Sequence, residues 1–164
     1  MMTTLEVTQN KIFTWETLKA RVAMLNFLNR RIVFTNGCFD ILHRGHIEYL
    51  SKAHDLGDAL IIGINSDASV RQIKGQGRPV QDEQSRLLAL ASLRFVEAVV
   101  IFDQDTPLEL ISMVKPQVLV KGADYQEKDI VGAEVVRQNG GEVVSIELSP
   151  GFSTTALLEK IGYF

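Results

Sequence analysis

The sequence predicts an α/β fold, a five-stranded parallel sheet with helices on both faces. Three observations carry this. Apolar or β-branched runs recur at residues 31–35, 59–64, 96–102, 117–120 and 142–148. Helical periodicity separates each run from the next. The run at 59–64, ALIIGI, is apolar at nearly every position, as a strand buried on both faces must be. Strands that alternate with helices build parallel sheets through right-handed crossovers.

Composition bounds the rest. The 164 residues are 46% hydrophobic and 23% charged, an ordinary globular balance that suggests a single domain over 1–164. Residues 1–12 read as a loose lead-in. The net charge of −3 argues against a general nucleic-acid binder, which would carry a basic stripe. The single cysteine, Cys38, rules out an internal disulfide and fits a reducing cytoplasm. It reads as a small buried thiol rather than a nucleophile, which needs a poised base. Residues 1–11 lack the apolar core of a signal peptide, and no run approaches the ~20 apolar residues of a membrane span. A cytoplasmic protein with no membrane or nucleic-acid partner is expected.

Thr14 is placed to cap a first helix to about residue 29, with Leu18, Val22, Leu25 and Leu28 inward. After the 31–35 strand, a second helix carries Ile47, Leu50 and Leu56 on one face, and Gly57 stops it. Asn65-Ser66-Asp67 can cap a short helix to about Gln72. Residues 73–81, IKGQGRPVQ, are too polar and broken for an element. A helix follows over about 82–93. Thr106, Pro107 and Glu109 give a second clear start: capping threonine, proline in first place, glutamate in third. A further helix runs from about Ile130 to Gly140-Gly141. Ser153-Thr154-Thr155 caps the last helix, which carries Leu157, Leu158 and Ile161.

The candidate site lies at the strand–helix join over 35–46, TNGCFDILHRGH. His43 and His46 stand three residues apart at a helix start, with Gly45 between them. A glycine lets backbone approach a ligand closely, and a helix N-terminus offers unpaired N–H groups to phosphate. A zinc site is not supported, since His54 and Cys38 are the only other histidine and thiol. Asp40 suits a metal ligand, a substrate contact or an Asx turn, and a site role is expected. Thr35, Asn36 and Gly37 read as loop backbone lining the site. Polar clusters also end the other strands, where open α/β sheets bind ligands.

The F-D-x-x-H-x-G-H stretch resembles the nucleotidyltransferase superfamily, whose mark is H-x-G-H. The sequence GFSTT at 151–155 resembles that superfamily's second box, although Leu148 stands where cytidylyltransferases open it with arginine. The segments KGQGRPV, DTP and VKGADY are similar to the heptose 1-phosphate adenylyltransferase branch. The resemblance covers about 14–161 and implies a Rossmann-like sheet with the 31–35 strand central.

It also implies a reaction. AMP passes from ATP to D-glycero-β-D-manno-heptose 1-phosphate, giving ADP-heptose and pyrophosphate for lipopolysaccharide or another surface glycan. On this resemblance His43, His46 and Lys121 are catalytic. Thr35, Asn36, Gly37, Phe39, Gly45, Lys74, Asp124, Phe152, Ser153, Thr154 and Thr155 meet the nucleotide. Asp40 and Arg78 meet the sugar phosphate, and the 73–81 segment closes over phosphates. Mg2+ comes with the ATP phosphates rather than on a protein ligand set. A homodimer is a family-level expectation. Relatives often fuse this domain to a sugar kinase, so a separate heptose kinase is implied here. Two alternatives stand beside this: transfer of CMP or AMP to glycerol 3-phosphate or FMN, and a non-catalytic nucleotide-binding module.

Overall fold

The computed structural model describes residues 1–123 and 130–162. The chain runs α1 (Thr4–Gln9), β1 (Ile12–Phe13), α2 (Trp15–Phe27), β2 (Ile32–Gly37), α3 (Arg44–His54), β3 (Ala59–Asn65), α4 (Asp67–Lys74) and α5 (Glu83–Ala91). It continues β4 (Val96–Phe102), α6 (Leu108–Val114), β5 (Val118–Gly122), α7 (Ala133–Gln138), β6 (Glu142–Ile146) and α8 (Thr154–Lys160). The described strands form one parallel sheet in the order β1-β4-β3-β2-β5-β6. β2 is interior, between β3 and β5, and the order reverses there. Such a reversal opens a crevice beyond the carboxyl ends of the strands.

The sheet has six strands rather than the expected five. The extra one is β1, where Ile12 pairs with Val99 and Phe13 with Val100. Two residues are too few to show alternation, and their pairing is decided by an edge far along the chain. The lead-in is also more ordered than expected: Thr3 and Glu6 form a reciprocal capping box on α1.

Alternation along β2 sorts the core into two layers. Ile32 and Phe34 face α2, α6 and α7, where Leu18, Val22, Ile111 and Val136 pack. Val33 faces α3 and α5 with Leu50, Ala53, Leu87 and Leu90. Every residue of β3 is buried, in keeping with its unbroken apolar run.

Several boundaries differ from the sequence reading. α3 turns Tyr49, Leu50 and Ala53 inward, while Ile47 is 42% exposed and Leu56 lies past its end. Leu28 and Ile161 likewise fall beyond their helices and are exposed, and Leu157 is exposed on α8. α4 runs on to Lys74, so Ile73 and Lys74 are helical rather than loop. Thr106 does not cap α6: Pro107 takes that place and no side-chain cap is made. β5 extends to Gly122, which puts Lys121 inside the strand.

The observed face of α3 has a measurable consequence. Leu50→Ala should cost about 2–5 kcal/mol in urea unfolding, because Leu50 is fully buried under the sheet. Ile47→Ala should cost under about 1 kcal/mol, as an exposed helix position does. Equal losses would restore the face expected from sequence.

Candidate active site

β2 delivers the chain to the mouth of the sheet at Gly37, and α3 carries it away from Arg44. His43 is the N-cap of α3, and its Nδ1 accepts the His46 N–H at 3.3 Å. An imidazole thus stands where serine or aspartate usually caps. Because Nδ1 accepts, the proton of the neutral His43 ring belongs on Nε2, which is left as a donor. The two rings stack, with centroids 3.8 Å apart and planes 18° off parallel. His46 Nδ1 is buried without a hydrogen-bond partner among the described residues.

Burial sets the charge of this pair. It lowers the His46 pKa to about 4, with the neighbouring His43 charge acting the same way and a hydrogen bond with the Ile41 backbone opposing. Burial also lowers His43 below its ordinary value. Both rings are therefore neutral N–H donors near neutral pH.

A cavity of about 520 Å³ opens in front of them, within the range of small-molecule sites. Lys121 reaches it from β5 and donates from Nζ to Asn36 Oδ1 on the adjacent β2. Ser153, Thr154 and Thr155 line it as well. Ser153 caps α8, accepting the Ala156 N–H at 3.0 Å, and its own O–H proton is not used in that bond. The turn before it is tied to α3 twice. Ser149 hydrogen-bonds Glu48, and the Arg44 guanidinium lies 5.2 Å from the centre of the Phe152 ring.

Lys74 lines the cavity from the end of α4. Asp124 lies outside the described residues.

Asn36, Gly37, Phe39 and Gly45 line the cavity as well, and each of the expected residues around them also has a contact within the protein. Thr35 is fully buried in β2 and shares a 2.8 Å hydrogen bond with the Tyr49 hydroxyl, so it stands behind the cavity wall. Asn36 and Gly37 are strand residues, not loop. Phe39, at φ 45°, turns its ring edge-on to His46 with centroids 5.3 Å apart. A Cβ on Gly37 would come within 3.1 Å of that ring. At Gly45 the close approach is also by protein: a Cβ there would meet Phe152 Cβ at 3.0 Å and the His43 ring at 3.2 Å.

Asp40 and Arg78, expected to meet substrate, also meet each other. Arg78 Nε donates to Asp40 Oδ2 at 2.7 Å, and the carboxylate also accepts the Val80 and Gln81 N–H groups. Residues 78, 80 and 81 are thereby tied to the histidine loop, which anchors one end of the 73–81 segment expected to close over phosphates. Both residues still reach the cavity wall.

Sequence reading missed Arg86, which is completely buried beside this loop. Its one signal was a cation on the face of α5 that also carries Leu87, Leu90 and Ala91. It missed Asn65, Tyr49 and Thr106 on the cavity wall as well.

Among known proteins, the chain matches the cytidylyltransferase-like family over residues 34–158. It is 52% identical to the bifunctional protein HldE of Campylobacter jejuni subsp. doylei over 155 residues, 93% of this chain and 33% of that protein. It is 58% identical to the bifunctional protein HldE of Rhodopseudomonas palustris strain BisA53 over 130 residues, 79% of this chain and 26% of that one. The chain thus spans about a third or less of the length of these curated relatives. Among solved structures it resembles the lipopolysaccharide core biosynthesis protein from Thermoplasma volcanium GSS1. The TM-score is 0.61 at 29% identity, covering 73% of this chain and 97% of that one.

The histidine environment predicts a pH response. The folded protein holds both rings neutral where an unfolded chain would protonate them. Their contribution to stability is complete above about pH 6.5 and is lost as the pH falls toward about 4. Imidazole NMR titration should find His46 with a midpoint near 4 and His43 below 6.5. A His46 midpoint at or above 6.5 would mean that the ring is open to water.

Proposed function

From the premise that this chain belongs to the cytidylyltransferase-like family, we propose that it is a nucleotidyltransferase that makes ADP-heptose. AMP passes from ATP to D-glycero-β-D-manno-heptose 1-phosphate. The observation that carries the transfer chemistry is the stacked, neutral His43–His46 pair at a helix start, facing a cavity shared with Lys121 and Ser153.

In the reaction an ionised phosphate oxygen of the acceptor attacks the α-phosphorus of ATP. A new O–P bond forms there as the bond to the β-phosphate oxygen breaks, and pyrophosphate leaves with its electron pair. The nucleophile is already ionised near neutral pH, so no strong base is required. What the protein supplies is positioning and donors aimed at developing charge. The His43 Nε2–H is such a donor. A neutral imidazole can donate without repelling its stacked neighbour, which two imidazolium rings would do. Lys121 supplies full charge, and Ser153 to Thr155 supply hydroxyls for the outer phosphates.

Magnesium fits as a cation carried by the triphosphate. Among the described residues no three His, Cys, Asp or Glu side chains group to hold a metal, and the Asp40 carboxylate is committed to Arg78 and backbone. When bound, the cation would neutralise phosphate charge.

The sugar assignment draws support from the heptose-branch segments at 74–80 and 120–125, and from relatives named HldE. The Thermoplasma protein is described as acting in lipopolysaccharide core biosynthesis, where a heptose donor has a use. Those curated relatives are called bifunctional, and a sugar kinase would supply the 1-phosphate. No described helix is long and apolar enough to cross a membrane.

Two experiments test the reading. With magnesium, ATP or CTP, and each of heptose 1-phosphate, glycerol 3-phosphate, phosphocholine and FMN, pyrophosphate release should be fast only for ATP with the β-anomer of the heptose. A site built to bond sugar hydroxyls rejects acceptors that lack them by up to ~10⁴-fold. Faster turnover with CTP or a non-sugar phosphate would overturn the heptose assignment, and no turnover with any pair would favour a binding module. Separately, His43→Ala and His46→Ala should each stay folded and lose ~10²–10³ in turnover, the usual cost of one transition-state donor. A variant that keeps more than about a tenth of the wild-type rate removes that ring from the chemistry.

A further inference from the structure

Arg86 heads the fully buried side chains by volume, and it lies outside the cavity lining. An apolar residue of similar size is often as stabilising as a buried charge, so a guanidinium here calls for a use of its donors. Each nitrogen has one. Nε donates to the Gln81 carbonyl at 3.2 Å and Nη1 to the Cys38 carbonyl at 2.6 Å. Nη2 donates to the Asn65 carbonyl and to Asp67 Oδ1, both at 2.8 Å.

Three of these four acceptors are backbone carbonyls, and each belongs to a different segment at the mouth of the sheet. One follows β2, one ends β3, and one precedes α5. A planar fork holds such points at set separations, which a lysine ammonium cannot do. Asp40 closes the circuit, since its carboxylate takes the Gln81 N–H while Arg86 holds the Gln81 carbonyl.

The tie at Cys38 leads to the chemistry. The next residue is Phe39, in left-handed backbone, and its ring meets His46 edge-on. His46 in turn stacks on His43. We propose that Arg86 is a positioning residue for the two histidines, setting their stack through the Cys38 carbonyl and the Phe39 ring. It touches neither substrate nor reacting atoms. The inference rests on the nucleotidyltransferase reading above.

The test compares wild type, Arg86→Lys, Phe39→Leu and the double variant, in pyrophosphate release and in His46 NMR titration. Folding of each is checked by its urea transition. Folded Arg86→Lys should lose ~10²-fold in kcat, the scale of a displacement near 1 Å, while KM for ATP changes by less than about threefold. Its His46 midpoint should rise from about 4 toward 6.5 as the ring opens to water. The double variant should lose no more than the worse single one, because both act on one path. A folded Arg86→Lys within about threefold of wild-type kcat would overturn the proposal, as would full additivity in the double variant. If Arg86→Lys does not fold, Phe39→Leu decides: a raised His46 midpoint with lowered kcat supports the path, and an unchanged midpoint overturns it. If wild type releases no pyrophosphate with any pair, the functional reading fails. The His46 midpoint in Arg86→Lys then decides the positioning role by itself.

Discussion

The Asp40 carboxylate is 1% exposed, and three donors converge on it: Arg78 Nε and the Val80 and Gln81 N–H groups. It lies three residues before His43, in the loop that leads from β2 into α3. A buried carboxylate is tolerated only when its oxygens are satisfied, and removing one partner from such a pair costs about 3–5 kcal/mol. The carboxylate thereby ties residues 78, 80 and 81 to the loop that carries the histidines.

The same economy of donors governs the histidines. A cap on α3 takes the lone pair of His43 Nδ1, and that single bond decides which nitrogen faces outward with a proton. Burial of His46 keeps the pair uncharged, so stacking at 3.8 Å carries no charge repulsion. Positive charge is brought from elsewhere, by Lys121 on β5, whose Nζ is already oriented by Asn36 on β2. Neutral donors and a full cation thus reach the cavity from different elements, each set by its own neighbour. Glycines at 37 and 45 serve the same end: one makes room for Phe39, the other for Phe152.

Edges of the molecule follow different rules from its mouth. β1 contributes two residues to the sheet and α1 buries none, yet a full capping box orders that helix. Trp15, just after β1, donates its indole N–H to the Ile101 carbonyl at 2.8 Å. Such long-range contacts are not announced by local pattern.

The sequence alone determined the alternation of strands and helices, the buried character of β3, and the placing of His43 and His46 at a strand–helix join. These depend on side-chain periodicity and on residues with strong local preferences, and both act over a few positions. It also singled out Lys121 and the 153–155 hydroxyls, because polar clusters at strand ends share one edge of a parallel sheet. Tertiary structure decided the partners. Asp40 and Arg78 are 38 residues apart, Arg86 and the Cys38 carbonyl 48 apart, and Lys121 and Asn36 85 apart. Whether a carboxylate meets substrate or a guanidinium, and whether a threonine lines a cavity or bonds a tyrosine behind it, depends on which distant donor arrives first within about 3 Å. No local period encodes that, since it follows from strand order and from the twist that brings loop ends together.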